Sequence, residues 1–89
     1  MTAAAKNLEG MRNNPKGDWR IEDLYVVATH WGLEVRSQGG SHHVLSHPDV
    51  DFDVTVPASR PIKPVYIRQF VGLIDKLKDR AADVGRPPK

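Results

Sequence analysis

The sequence predicts an α+β domain: a three-stranded antiparallel sheet covered on one face by helices, with an extra helix at the N-terminus. Three observations carry this. Apolar residues recur at helical spacing on both flanks of the chain, around Leu24 and around Phe70. Between them lie three short segments, 33–37, 41–47 and 52–56, with the composition and alternation of strands. The connections between those segments are short enough only for hairpins, which makes the sheet a meander.

Each element has its own local reason. Ala3–Arg12 reads as a short helix with Ala4, Leu8 and Met11 on one side, and Asn13-Asn14-Pro15-Lys16-Gly17 breaks it. A second helix is expected from Ile21 to Trp31, with Ile21, Leu24, Tyr25 and Ala28 as its apolar stripe. Glu22 and Asp23 fall in its first turn, where the helix dipole favours acids, and Gly32 supplies the stop. Val26 and His30 fall on the side opposite the stripe and are expected in solvent. Leu33–Ser37 alternates apolar and polar, as a half-buried strand does. A Gly39-Gly40 turn leads into Ser41–His47, and Pro48-Asp49 makes the next turn. Phe52, Val54 and Val56 then alternate with Asp51, Asp53 and Thr55. Arg60–Pro64 is a stiff link that sets Pro64 at the first position of the last helix. Its stripe is Ile67, Phe70, Val71, Ile74, Leu77 and Ala81, running to about Asp83. A sheet this small needs one face covered, and the two striped helices supply the cover.

At 89 residues the chain makes one domain. Within it, residues 1–17 form an N-terminal helical extension, 18–85 the αβββα body and 86–89 a basic tail. A chain of this length buries only about 60–65% of its unfolded surface, enough for one compact core. The sequence has no cysteine, which excludes disulfides and thiolate chemistry. No apolar run reaches membrane length and Met1–Arg20 lacks a signal-peptide core, so the expectation is a soluble cytoplasmic protein with no membrane partner. The net charge of +2 hides an asymmetry: residues 1–17 carry +2, 18–59 carry −5 and 60–89 carry +5. A basic final third attracts nucleic acid, although a solvated helix face plus a basic tail accounts for it equally well.

The most informative segment is Gly39-Gly40-Ser41-His42-His43-Val44-Leu45-Ser46-His47-Pro48. Three of the four histidines fall here, directly after a diglycine turn. Imidazole exchanges protons near neutral pH, and glycines admit a phosphate close to the backbone. Consecutive strand residues face opposite sides, so His42 goes with Val44 and Ser46, and His43 with Leu45 and His47. If Leu45 is the inward residue, His42 stands on the open face; if Val44 is inward, the assignments swap. Adjacent strand residues do not share one ion easily and no carboxylate completes a set, so neither a metal nor a cofactor is expected.

The order helix–strand–strand–strand–helix with Gly40-Ser41-His42 opening the second strand resembles the HicA family of toxins from bacterial toxin–antitoxin modules. The likeness runs from about Trp19 to Leu77 and includes His47-Pro48-Asp49, Val54-Thr55-Val56-Pro57 and Ile62-Lys63-Pro64. It implies a fold related to double-stranded-RNA-binding domains, ribonuclease activity on messenger RNA and a HicB-like antitoxin that masks the site. It also implies that the catalytic histidine is His42. The chain departs from the family pattern in residues 1–17, an addition at the front, and in the adjacent His43.

On that reading the RNA brings its own nucleophile, the 2′-hydroxyl, and one imidazole within reach removes its proton without a metal. Gly39, Gly40 and Ser41 would hold the phosphate, and Arg36, Arg60, Lys63 and Arg68 would neutralise neighbouring backbone charge. His43 or a lysine would supply the second proton transfer. Asp51 and Asp53 would repel phosphate if they shared the open face with His42. One rival reading is a non-catalytic RNA-binding module of the same architecture. A second is a pure interaction protein whose exposed strand and Val26 dock a partner, with no salt-dependent affinity for RNA.

Overall fold

A computed structural model describes residues 2–38 and 40–85, with side chains for all of these except 38 and 80–85. The order is α1 (Ala3–Asn13), α2 (Ile21–Trp31), β1 (Glu34–Gln38), β2 (His42–Ser46), β3 (Val54–Pro57) and α3 (Pro64–Gly85). The basic tail, 86–89, and Gly39 of the diglycine turn lie outside the described residues. No helix among the described residues is long and apolar enough to cross a membrane.

The ends of the helices follow from side chains that satisfy free backbone groups. The Thr2 hydroxyl accepts from the Ala5 N–H at 3.1 Å and starts α1. The Asp23 carboxylate accepts from the Arg20 N–H at 3.0 Å and starts α2. Gly32, in the left-handed conformation at φ 71°, ends α2, and the Leu33 N–H then bonds back to the Ala28 carbonyl. The Lys63 carbonyl accepts from the Tyr66 and Ile67 N–H groups at the start of α3, where Pro64 has no N–H to leave unpaired.

The sheet is antiparallel in the order β1-β2-β3. Val35 pairs with Leu45 and Leu45 with Val54; Ser37 pairs with His43 and His43 with Val56. Leu45, Val54 and Val56 are all buried, so this set faces the helices. The other set, with Glu34 and Arg36 on β1, His42, Val44 and Ser46 on β2, and Thr55 and Pro57 on β3, makes the open face.

One apolar core joins the layers, with Leu24, Val27, Leu45, Val56, Ile67, Phe70, Leu73 and Ile74 fully buried within it. α1 packs on α2 and α3 rather than on the strands, and its Leu8 and Met11 belong to the same core. The N-terminal segment is thus a structural layer of the domain. Arg12 on α1 and Asp75 on α3 close that layer with a bidentate pair, Nη1–Oδ2 at 3.0 Å and Nη2–Oδ1 at 2.5 Å. The Arg12 hydrogen bond holds the Asp75 carboxyl below its ordinary pKa, against the opposing effect of partial burial. The same bond raises Arg12.

The structure adjusts three details. The third strand begins at Val54, not at Phe52, and Phe52 is 38% exposed although the alternation placed it with Val54 and Val56. In α2 the buried arc turns toward Val27, leaving Ile21 and Tyr25 half-buried, because α1 covers a second side of that helix. In α3, Leu73 is fully buried and joins the stripe, while the side chain of Ala81 lies outside the described residues. Val26 and His30 are exposed as expected.

Candidate active site

Alternation along β2 left open which imidazole faces outward. The buried set Leu45, Val54 and Val56 turns His43 inward and His42 outward, even though Val44 on the open face is buried too. Leu45 and Val44 are both buried, at 0% and 6% exposure. Val44 is on the open face but sits in the middle strand, with Arg36 on one side and Thr55 on the other in register. Cross-strand neighbours stand only about 4.5–5.5 Å apart at Cβ, close enough to shield a small side chain.

Tyr25 agrees with that assignment. Its hydroxyl on α2 is bonded to Nδ1 of His43 at 2.5 Å, and the two rings meet edge to face with centroids 5.5 Å apart. His43 therefore belongs to the helix-facing side and is half-buried. His42 turns the other way and is exposed on the open face. The two imidazoles are not brought together on one surface. Tyr25 entered the sequence reading as a stripe residue, yet its hydroxyl has a polar task. The signal was there in principle: a tyrosine on a buried stripe needs a hydrogen-bond partner.

The backbone around His42 is held on both flanks. His42 pairs with Gln38 on β1 and with Pro57 on β3. One residue earlier the Ser41 carbonyl accepts from the Ala58 N–H at 2.6 Å, which extends the ladder past the strand end. Gly40 turns the chain at φ 83°, a conformation that side-chain-bearing residues rarely adopt. Ser41 is exposed beside it. Gly39, the remaining phosphate-binding candidate of this turn, lies outside the described residues.

The predicted cations divide. Arg36 is exposed on the open face, diagonal to His42 across the β1–β2 ladder. Diagonal neighbours lie about 7–8 Å apart, within reach of a long side chain. Arg60 is exposed and pairs with Asp18 at 3.5 Å, in a cleft lined by Arg20, Glu22, Ala58 and Ser59. That cleft adjoins Ser41 through Ala58. Lys63 is exposed at the start of α3. Arg68 lines a cleft with Met11, Pro15 and Asp75 between α1 and α3, so the fold does not bring it to His42.

Asp51 and Asp53 precede β3 and fall near the Pro48–Val50 turn, at the opposite end of the sheet from His42. His47 is also at that end, where its Nδ1 accepts from the Asp49 N–H at 3.0 Å. Among the described residues no group of three His, Asp or Glu side chains is placed to hold a common ion. Thr55 and Pro57 join Arg36 and His42 on the open face, a grouping that only the strand register reveals. This chain matches no protein-family model, no curated protein and no solved structure.

Proposed function

We propose that the chain is an endoribonuclease of the HicA toxin type, cleaving messenger RNA without a metal and restrained by a HicB-like antitoxin. The observation that supports this best is the exposed imidazole of His42 on the uncovered face of the sheet, with Arg36 on the same face. In this reading His42 takes the proton from a ribose 2′-hydroxyl. The 2′-oxygen bonds to phosphorus, and the bond from phosphorus to the 5′-oxygen breaks, leaving a cyclic phosphate. Arg36 offsets charge on the phosphate, and the Gly40-Ser41 turn admits it closely. With His43 turned to the helices, the leaving oxygen takes its proton from water or from the protonated His42 ring, which makes the enzyme slow.

A second reading, a non-catalytic RNA-binding module, is favoured by one observation. His42 has no second imidazole or carboxylate in its own row, where Gln38 and Pro57 are its partners. The purified protein incubated with RNA in excess chelator separates the two. Cleavage that His42→Ala abolishes supports the ribonuclease. Salt-sensitive binding without cleavage, indifferent to His42→Ala, supports the binding module. The toxin role adds that expression arrests growth and His42→Ala relieves it; normal growth with abundant soluble protein overturns that role.

A further inference from the structure

We propose that β1 is a self-pairing edge through which two copies of this chain join antiparallel about Val35, Glu34 of each copy facing Arg36 of the other. The pairing does not depend on the ribonuclease reading.

β1 ends the sheet. Outside the β1–β2 ladder, residues 34–37 make no backbone hydrogen bond to any described residue. Half of the N–H and C=O groups of such a strand point away from the sheet and offer a ladder to another strand. Its open-face side chains carry opposite charges two positions apart, and neither Glu34 nor Arg36 forms an ion pair among the described residues.

A two-fold axis at Val35 opposes residue 34 to residue 36 and residue 33 to residue 37. Both charges of each copy then meet an opposite charge, on the same face of the joined sheet. An axis at Arg36 would set two guanidinium groups against one another, and an axis at Glu34 two carboxylates. An axis at Ser37 leaves both charges without a match. Directly opposed like charges destabilise a strand pair and opposite ones stabilise it, so the Glu34-Val35-Arg36 triplet selects a single register. Val35, half-buried in one copy, meets its own counterpart on the helix-facing side.

The product is a six-stranded sheet with one continuous open face. Strand spacing and rise place its two His42 residues roughly 25 Å apart on that face. The seam is short, so association is weak and salt-sensitive.

Sedimentation equilibrium from about 10 µM to about 1 mM, at low and at high salt, tests this. The apparent mass is expected to rise from the 9.9 kDa of one chain toward twice that value, less so at high salt. Glu34→Arg and Arg36→Glu, each setting like charges against one another twice per dimer, are expected to weaken association about tenfold. The combined exchange, Glu34→Arg with Arg36→Glu, is expected to restore it, which also controls for misfolding of either single variant. A protein monomeric throughout overturns the proposal and leaves the two charges as guards against edge aggregation. A dimer indifferent to the exchange series overturns it as well, because its interface then lies elsewhere.

Discussion

Tyr25 and His43 join the helix layer to the middle strand through a hydroxyl–imidazole hydrogen bond, with O and Nδ1 2.5 Å apart. The bond holds His43 on the helix-facing side, where the buried Leu45 and Val56 already place it. Tyr25→Phe removes the hydroxyl and leaves a half-buried ring nitrogen without that partner. A loss of about 0.5–1.5 kcal/mol in urea unfolding is expected. An unchanged midpoint would mean that water replaces the hydroxyl at no cost.

The adjacent histidines are expected to part by phenotype. His42→Ala, at an exposed position, should keep stability within about 0.5 kcal/mol while lowering RNA cleavage about 10²–10⁴-fold. His43→Ala should instead cost about 1–2 kcal/mol of stability through its lost bond and ring contact. Parallel melts and cleavage assays on both variants check this, and a reversal would move the proton-transfer role to His43.

The Arg12–Asp75 pair sets a pH dependence. The Asp75 carboxyl is lowered from its ordinary 3.8, mainly by the Arg12 hydrogen bond. Its stabilisation is therefore present above the unfolded value and lost as pH falls through the folded one. Both side chains are 42% exposed, so solvent screening keeps the contribution to about 0.2–1 kcal/mol. Asp75→Asn should be less stable than wild type by that margin near neutral pH, and the difference should vanish as pH falls through the folded-state value. A margin that persists in acid would point to packing instead of charge.

Met11 measures how far α1 belongs to the domain. It is fully buried and packs in the common core. Met11→Ala is expected to cost about 2–5 kcal/mol, against little for a residue on a detachable arm. A loss below about 0.5 kcal/mol, read from denaturant unfolding, would mean that α1 frays independently of the rest.

Gly10 tests a close approach. A Cβ added there would lie 2.8 Å from Cη2 of Trp19, whose ring is held by its Nε1–H donating to the Asn14 carbonyl at 2.8 Å. Alanine gains about 1 kcal/mol of helix propensity, while overpacking costs about 1–3 kcal/mol. Gly10→Ala should thus be net destabilising by about 1 kcal/mol; a net gain would show that the indole swings aside freely.

Element type and order were legible because each stripe or alternation has one dominant period, as around Phe70 and along Val54–Val56. What periodicity does not carry is the number of neighbours an element has. Val27 lies outside the expected stripe because α1 adds a second contact side to α2, and Leu73 because the buried arc of α3 is wider than one stripe. Phe52 was misplaced because alternation persists in the chain beyond the last ladder hydrogen bond. The candidate site was half legible. Residue chemistry pointed to His42, His43 and the glycine turn, but facing direction depends on which of Val44 and Leu45 meets the helices, a pairing made only in the folded chain. Arg68 failed to join His42 because a helix two elements away turns it toward α1.

The rung between the Ala58 amide and the Ser41 carbonyl lies one residue beyond His42. The imidazole thus rises from a pedestal clamped on both sides, with only its own two side-chain torsions left to choose. Whatever docks there need not first freeze a floppy loop, so the entropy of positioning that ring was already surrendered when the sheet formed.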